Sequence, residues 1–196
     1  MGVRLILLAI LALLAPGAAQ AMTMKTEGDT IVMSGAVVKA DCTEFETLAS
    51  RPGIRRVVLT NSGGGDASSG YCIGAAIRRL GLSAVIRGRC ALSCSRMWLG
   101  GVERTLEGQD SRVGLHGNYA DSGGLLSDAP QKLRTWIPQY APGVDRTLME
   151  QWIRLPTNKW MMYFYNGRAE LCEGRACSPV DGRTAQNAGL ATRAGD

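Results

Sequence analysis

Histidine and aromatic side chains are scarce in this sequence. Its 196 residues include 1 His, and aromatic residues make up 6% of the chain. A single histidine excludes most histidine-rich zinc sites and any proton relay between histidines. The segment Gly-x-x-x-x-Gly-Lys-Ser/Thr is also missing, which excludes a P-loop nucleotide-binding protein. Hydrophobic residues form 45% of the chain and charged residues 20%, a balance typical of one globular domain.

The basic residues are scattered along the chain, although they outnumber the acidic ones by 22 to 17. Adjacent basic pairs occur only at Arg55-Arg56 and Arg78-Arg79. A nucleic-acid surface usually combines a dense basic patch with interleaved aromatic side chains, and that combination is missing. The sequence therefore predicts no nucleic-acid partner.

The first 21 residues have the pattern of a secretory signal peptide. Arg4 precedes an apolar run at residues 5–14, a Pro16-Gly17 break follows, and Ala19-Gln20-Ala21 fits an Ala-x-Ala cleavage site. The run is shorter than the roughly 20 residues that a membrane-spanning helix needs. We therefore expect cleavage after Ala21, a periplasmic or secreted mature chain of residues 22–196, and no membrane span in that mature chain.

Six cysteines lie in the predicted mature chain, at positions 42, 72, 90, 94, 172 and 177. An even number of cysteines in an oxidising compartment predicts disulfides. Cys172 and Cys177 flank a short loop with a glycine, so they are expected to pair with each other. The other pairings stay open at this point. There is no Cys-x-x-Cys pair, and the one histidine is far along the chain from any cysteine pair, so neither a metal site nor a cofactor is expected.

The middle of the chain alternates between strand and helix patterns. The predicted strands cover residues 30–38, 54–60, 83–86 and 113–116, and the predicted helices cover 42–50, 67–80 and 92–99. A sharp turn is predicted at 61–66. Later residues predict helices at 128–139 and 144–155, a strand at 160–165 and a short closing helix at 184–190. This alternation indicates an α/β fold with parallel strands, in which ligands bind at the carboxyl ends of strands.

Three segments fall at such strand ends, and together they resemble a known superfamily. Asn61-Ser62-Gly63-Gly64-Gly65 resembles the Asn-Ser-Pro-Gly-Gly turn of the Clp-protease/crotonase superfamily, with Gly63 in place of proline. Cys90-Ala91-Leu92-Ser93-Cys94, followed by Gly101 and Arg104, is similar to the Cys-x-Ser-x-Cys segment of exported members. Residues 111–116 match the strand that leads to the catalytic histidine, here His116, and residues 184–190 match the closing helix. The resemblance covers roughly residues 30–192.

This resemblance implies one domain of stacked ββα units, assembly into trimers or hexamers, and a Ser-His-Asp peptidase mechanism. The chain departs from that pattern at the nucleophile, because Leu92 occupies the serine slot and Ser93 follows one residue later. On a helix, one residue is a rotation of about 100°. The slot of the acid falls near Cys177, and Asp181 is the nearest carboxylate; Asp121 and Asp128 are other candidates.

Two functions of different classes follow. The first is a degenerate serine-hydrolase site of the peptidase type, which acts on a peptide or protein. Its candidate catalytic residues are Ser93, His116 and Asp181, with Gly64 and Gly65 supporting an oxyanion. The second is a catalytically inactive binding or assembly module on the same fold. Either way a homo-oligomer is expected. Crotonase-type acyl-CoA chemistry ranks third, because an exported protein rarely meets coenzyme A.

Overall fold

The computed structural model describes residues 21–195, and the predicted signal peptide lies outside these residues except for Ala21. Eight strands form one sheet in chain order. The strands are β1 Thr23–Glu27, β2 Thr30–Val37, β3 Arg56–Gly65, β4 Ser83–Ala91, β5 Arg104–Leu115, β6 Trp160–Phe164, β7 Ala169–Glu173 and β8 Ala176–Pro179. The helices are α1 Asp41–Ala49, α2 Ala67–Arg79, α3 Ser93–Gly100, α4 Ala129–Tyr140 and α5 Arg146–Ile153. The predicted α/β class is confirmed.

The centre of the sheet is parallel and its two sides are antiparallel. β2, β3, β4 and β5 pair in parallel, whereas β1 pairs antiparallel with β2, and β5 to β8 form an antiparallel series. Parallel neighbours need crossover connections, which α1, α2 and α3 supply here. The β-branched run of β3 is buried at Val57 and Val58, as expected for a central strand.

Two predicted features differ from the structure. The turn predicted at residues 61–66 is a continuation of β3 to Gly65, with a register shift after Thr60 and a positive φ of 45° at Asn61. Pairing with both neighbouring strands keeps this glycine-rich segment extended. The short helix predicted at 184–190 is a series of turns, in which the Thr184 and Asn187 side chains bond to each other's backbone N–H groups.

Helix α3 packs against α2 at glycine contacts. A Cβ atom on Gly70 would lie 2.6 Å from the Ser93 carbonyl oxygen, and one on Gly74 would lie 2.4 Å from that of Arg96. At the other end of α3, Arg78 and Arg104 both donate hydrogen bonds to the Gly101 carbonyl. Two cations at the C-terminus of a helix complement its dipole. These contacts fix the axis of α3, and therefore the position of its first residue.

All six cysteines form disulfides. Cys172–Cys177 joins β7 to β8, which confirms the predicted pair. Cys42–Cys72 joins α1 to α2, and Cys90–Cys94 joins the end of β4 to α3. Within residues 21–195, the group whose geometry would suit a metal ion is Glu170 with Cys172 and Cys177, and both of its sulfur atoms are used in the disulfide. No helix in this part of the chain is long and apolar enough to cross a membrane.

Candidate functional site

A sharp backbone turn at Leu92 connects strand β4 to helix α3. Leu92 has φ 58° and ψ −126°, a conformation that side chains other than glycine rarely adopt. Its carbonyl oxygen accepts hydrogen bonds from the backbone N–H and the hydroxyl of Ser95, at 3.0 and 2.6 Å. Gly64 of β3 packs directly against this turn, where a Cβ atom would lie 2.4 Å from Leu92 Cβ. The glycine at position 64 therefore allows strand and turn to meet.

The turn opens onto a cavity of about 520 Å³. Four of its lining residues are buried, and three of them, Ser93, Arg96 and His116, form what we call the floor; the fourth is Gly117. Seven lining residues are exposed, and four of them form what we call the rim: Asp121, Leu126, Asp128 and Lys132. Leu92 is half-buried and lines the cavity beside the floor. The volume is in the range of small-molecule sites in proteins.

His116 follows directly after β5 and is 6% exposed. Its Nδ1 atom bonds to the Gly117 carbonyl oxygen, and its ring meets that of Tyr119 edge to face. Burial, and then the positive charge of Arg96, lower the pKa of His116 from 6.5 to about 4. The imidazole is therefore neutral near pH 7, with Nδ1 as the donor to a carbonyl.

Ser93 begins helix α3 on the cavity floor, yet its hydroxyl makes no hydrogen bond within residues 21–195. The Oγ atom therefore has no hydrogen bond to the His116 ring. A serine nucleophile needs a base within about 2.6–3.2 Å to accept its proton. The structure thus brings Ser93 and His116 to the same cavity without joining them.

The two glycines proposed as oxyanion support differ in their surroundings. Gly65 lines the cavity. The backbone N–H of Gly64 instead donates to Ser62 Oγ at 3.2 Å, and Ser62 Oγ donates to the Gly35 carbonyl. An oxyanion hole needs N–H groups that are free to donate into the site. The N–H of Gly64 is already engaged.

Asp181 lies in an exposed turn after β8 and is not among the residues that line the cavity. The acidic residues of the cavity are Asp121 and Asp128, on the rim. The His116 ring nitrogen that makes a hydrogen bond uses the Gly117 carbonyl as partner, not a carboxylate. Ser93, His116 and Gly65 are therefore brought together, and Asp181 is not.

Arg96 is a functional candidate that the sequence reasoning missed. It is 2% exposed on α3 and donates to Ser95 Oγ at 2.8 Å and to the His116 carbonyl oxygen at 2.9 Å. The signal was present in the sequence, because Arg96 is the one charged residue in the segment 90–102. A single charged residue in a segment that is otherwise uncharged and mostly buried indicates either a buried ion pair or a functional site.

No family model matches the sequence, and no curated protein matches it. Solved structures do match. A ClpP1 variant from Listeria monocytogenes is 10% identical with a TM-score of 0.56, over 85% of this chain and 91% of that one. A protein of Streptomyces coelicolor A3(2) assigned as an enoyl-CoA hydratase is 12% identical with a TM-score of 0.55, and the match covers 96% of this chain and 72% of that one. A membrane-bound stomatin-specific protease is 13% identical with a TM-score of 0.53, and the match covers 83% of this chain and 76% of that one.

These similarities define the fold class. The chain has the fold of the Clp-protease/crotonase superfamily, as the glycine turn, the cysteine segment and His116 predict. Proteases and an acyl-CoA enzyme share this fold, so the fold alone does not select a function.

Proposed function

We propose that this protein is an exported Clp-protease-like protein with a degenerate serine-hydrolase site, and that the site binds a peptide or protein segment without cleaving it. The observation that carries the proposal is Leu92 at the turn between β4 and α3. The turn projects its residue beside the cavity, where Leu92 is part of the lining. Leucine has no atom that could attack a carbonyl carbon.

The surroundings of His116 support the same proposal. A base in a serine hydrolase is held and made more basic by a carboxylate behind its ring. Here the ring bonds to a carbonyl, and the nearby charge is the cation of Arg96, which lowers the pKa. A weak base and an unbonded Ser93 hydroxyl in the lining of one cavity favour a binding site over a hydrolytic one.

Labelling with a fluorophosphonate probe tests this proposal. We expect the purified wild-type protein to remain unlabelled and Ser93→Ala to behave the same. Leu92→Ser is the matched gain-of-function variant, because it places a hydroxyl at the turn, and any labelling of it should require His116. Wild-type labelling that Ser93→Ala and His116→Ala both abolish would show that Ser93 is a working nucleophile.

Export and assembly belong to the same proposal. Three disulfides support an oxidising compartment such as the periplasm or the exterior. Self-association rests on the resemblance to the superfamily. Sedimentation velocity of the mature protein should show one species larger than a monomer, and a monomer at all accessible concentrations would contradict it.

A further inference from the structure

The cavity floor contains a buried cation without an acidic partner. Arg96 is 2% exposed, and the ion pairs found within residues 21–195 do not include it. Its hydrogen bonds go to neutral oxygens, those of Ser95 and of the His116 main chain, and its Nε atom has no partner. A guanidinium group has five N–H donors, so those two bonds leave most of them unused. Burying such a charge is costly unless an anion joins it.

A second unpartnered group lies one helical turn away on the same floor. Ser93 is 4% exposed and its hydroxyl makes no hydrogen bond. Ser93 is also the first residue of α3, and no side chain caps this helix at Leu92. The first N–H groups of a helix lack intrahelical partners and carry a partial positive charge. Ser93, the start of α3 and Arg96 thus lie within one helical turn along the lining of the same cavity, and each offers hydrogen-bond donors to an anion.

We propose that this floor binds the carboxylate of a ligand, with Arg96 as the charge partner and Ser93 as a hydrogen-bond donor. The inference rests on the proposed binding function and names the chemical group that the site recognises. One buried guanidinium balances one negative charge, since His116 is neutral near pH 7. The rim carries the carboxylates of Asp121 and Asp128 and the single ammonium group of Lys132, so its net charge is negative and disfavours a dianion such as phosphate more than a monoanion. A singly charged carboxylate therefore fits better.

The size of the cavity indicates that the ligand extends beyond its carboxylate. A volume of about 520 Å³ holds a molecule of drug-like size. Leu92 and Leu126 offer apolar contact above the floor, and Leu126 is 41% exposed at the rim. Such a carboxylate has two sources, the free C-terminus of a peptide or a small organic acid, and both share the same anchoring chemistry.

Isothermal titration of the mature, disulfide-bonded protein tests this inference with paired probes. The first pair is N-acetyl-Ala-Ala-Phe with a free and with an amidated C-terminus. The second pair is hippurate and its neutral amide. We expect both acids to bind and each amide to bind roughly tenfold more weakly or worse, since hydrogen bonds to a charged group are lost. The tighter acid identifies the source, peptide terminus or organic acid.

Three variants assign the effect to the floor. Arg96→Gln should reduce the affinity for each acid to that for its amide, and Ser93→Ala should weaken acid binding by a smaller factor. Ser93→Ala also keeps the test valid if Arg96→Gln fails to fold. Arg112→Gln is the control for net charge, because Arg112 lies over the rings of Tyr163 and Tyr165 and does not line the cavity. It should leave the affinities unchanged.

Several outcomes would overturn the inference. Equal affinity for acid and amide would refute recognition of a carboxylate, but the proposed binding function would remain. Binding of inorganic phosphate in place of either acid would also refute it, as would the absence of binding by both acids. Fluorophosphonate labelling of Ser93, by contrast, would refute the proposed function. The carboxylate inference would still be tested separately, by the affinities for acid and amide.

Discussion

The guanidinium of Arg96 donates a hydrogen bond from Nη2 to the main-chain oxygen of His116, at 2.9 Å. The histidine of the cavity therefore has a cation near it, whereas the histidine of a serine hydrolase is paired with a carboxylate. This contact helps to keep the imidazole neutral, and it leaves the positive charge of the floor on Arg96. One side chain on α3, that of Arg96, thus supplies the positive charge that lowers the pKa of His116, and the same charge is the one on which the proposed anion site rests.

The lowered pKa of His116 makes the stability of the protein depend on pH. In the folded protein this pKa is about 4, against 6.5 for an ordinary histidine, so between these values the unfolded chain binds more protons. As far as His116 is concerned, the free energy of unfolding is highest above about pH 6.5 and decreases as the pH falls to about 4. From the size of the shift, the loss is up to about 3 kcal/mol.

Urea unfolding at pH 4 and pH 7 measures this effect. From pH 7 to pH 4, the free energy of unfolding should decrease less for His116→Gln than for the wild type, because glutamine does not titrate. The Asp and Glu carboxylates titrate in both proteins, so their contributions to the free energy of unfolding cancel when the two proteins are compared. Identical pH profiles for the two proteins would show that His116 is not the group responsible.

Gly64 is predicted to be essential for the turn at Leu92. Gly64→Ala places a Cβ atom 2.4 Å from Leu92 Cβ at a residue with φ 83°. We expect a loss of about 1–2 kcal/mol from the backbone conformation and about 1–3 kcal/mol more from overpacking. Gly28→Ala is the matched control, since Gly28 has φ 61° and open space around it. Equal losses of the free energy of unfolding in the two variants would contradict close packing at Gly64.

The disulfides should contribute unequally to stability. Cys42–Cys72 spans 30 residues and Cys172–Cys177 spans 5. The chain-entropy model gives about 3.5 kcal/mol for the longer loop and about 2 kcal/mol for the shorter one. The pairs are well matched, because each has one buried and one exposed cysteine. Paired Cys→Ala variants, unfolded in urea, should show this order, and the reverse order would contradict it. Free thiols at Cys172 and Cys177 in non-reducing peptide mapping would contradict the bridge itself.

Processing after Ala21 is expected to leave Met22 as the first residue of the exported protein. The Met22 side chain is 2% exposed and β1 begins at Thr23, so the folded domain uses the chain from this point onward. N-terminal sequencing of exported protein should start at Met22. Ala19→Leu should block cleavage, because small residues are needed at that position, whereas Ala18→Leu should not. Exported protein that keeps Met1 would contradict the prediction.

Features that depend on neighbouring residues can be predicted from the amino-acid sequence alone. Alternating strand and helix patterns predict the central elements from β2 to α3, and a short loop predicts Cys172–Cys177. The order of the glycine turn, the cysteine segment and His116 predicts the superfamily fold. These signals are local because the periodicity of apolar residues and the closure of a short loop need no distant contact.

Features that depend on distant residues follow from the packing of the folded chain. β3 continues to Gly65 because strands on both sides pair with it, and the Cys42–Cys72 bridge exists because α1 packs beside α2. Leu92 takes a positive φ because it is the single residue that connects the end of β4 to the start of α3, and Arg96 becomes a buried, unpaired cation because α3 lies against His116. The uncharged residues around Arg96 in the sequence indicate an unusual environment for this charge, but burial of a charge is a property of the packed molecule, so only the packing shows that Arg96 lies at the floor of a cavity.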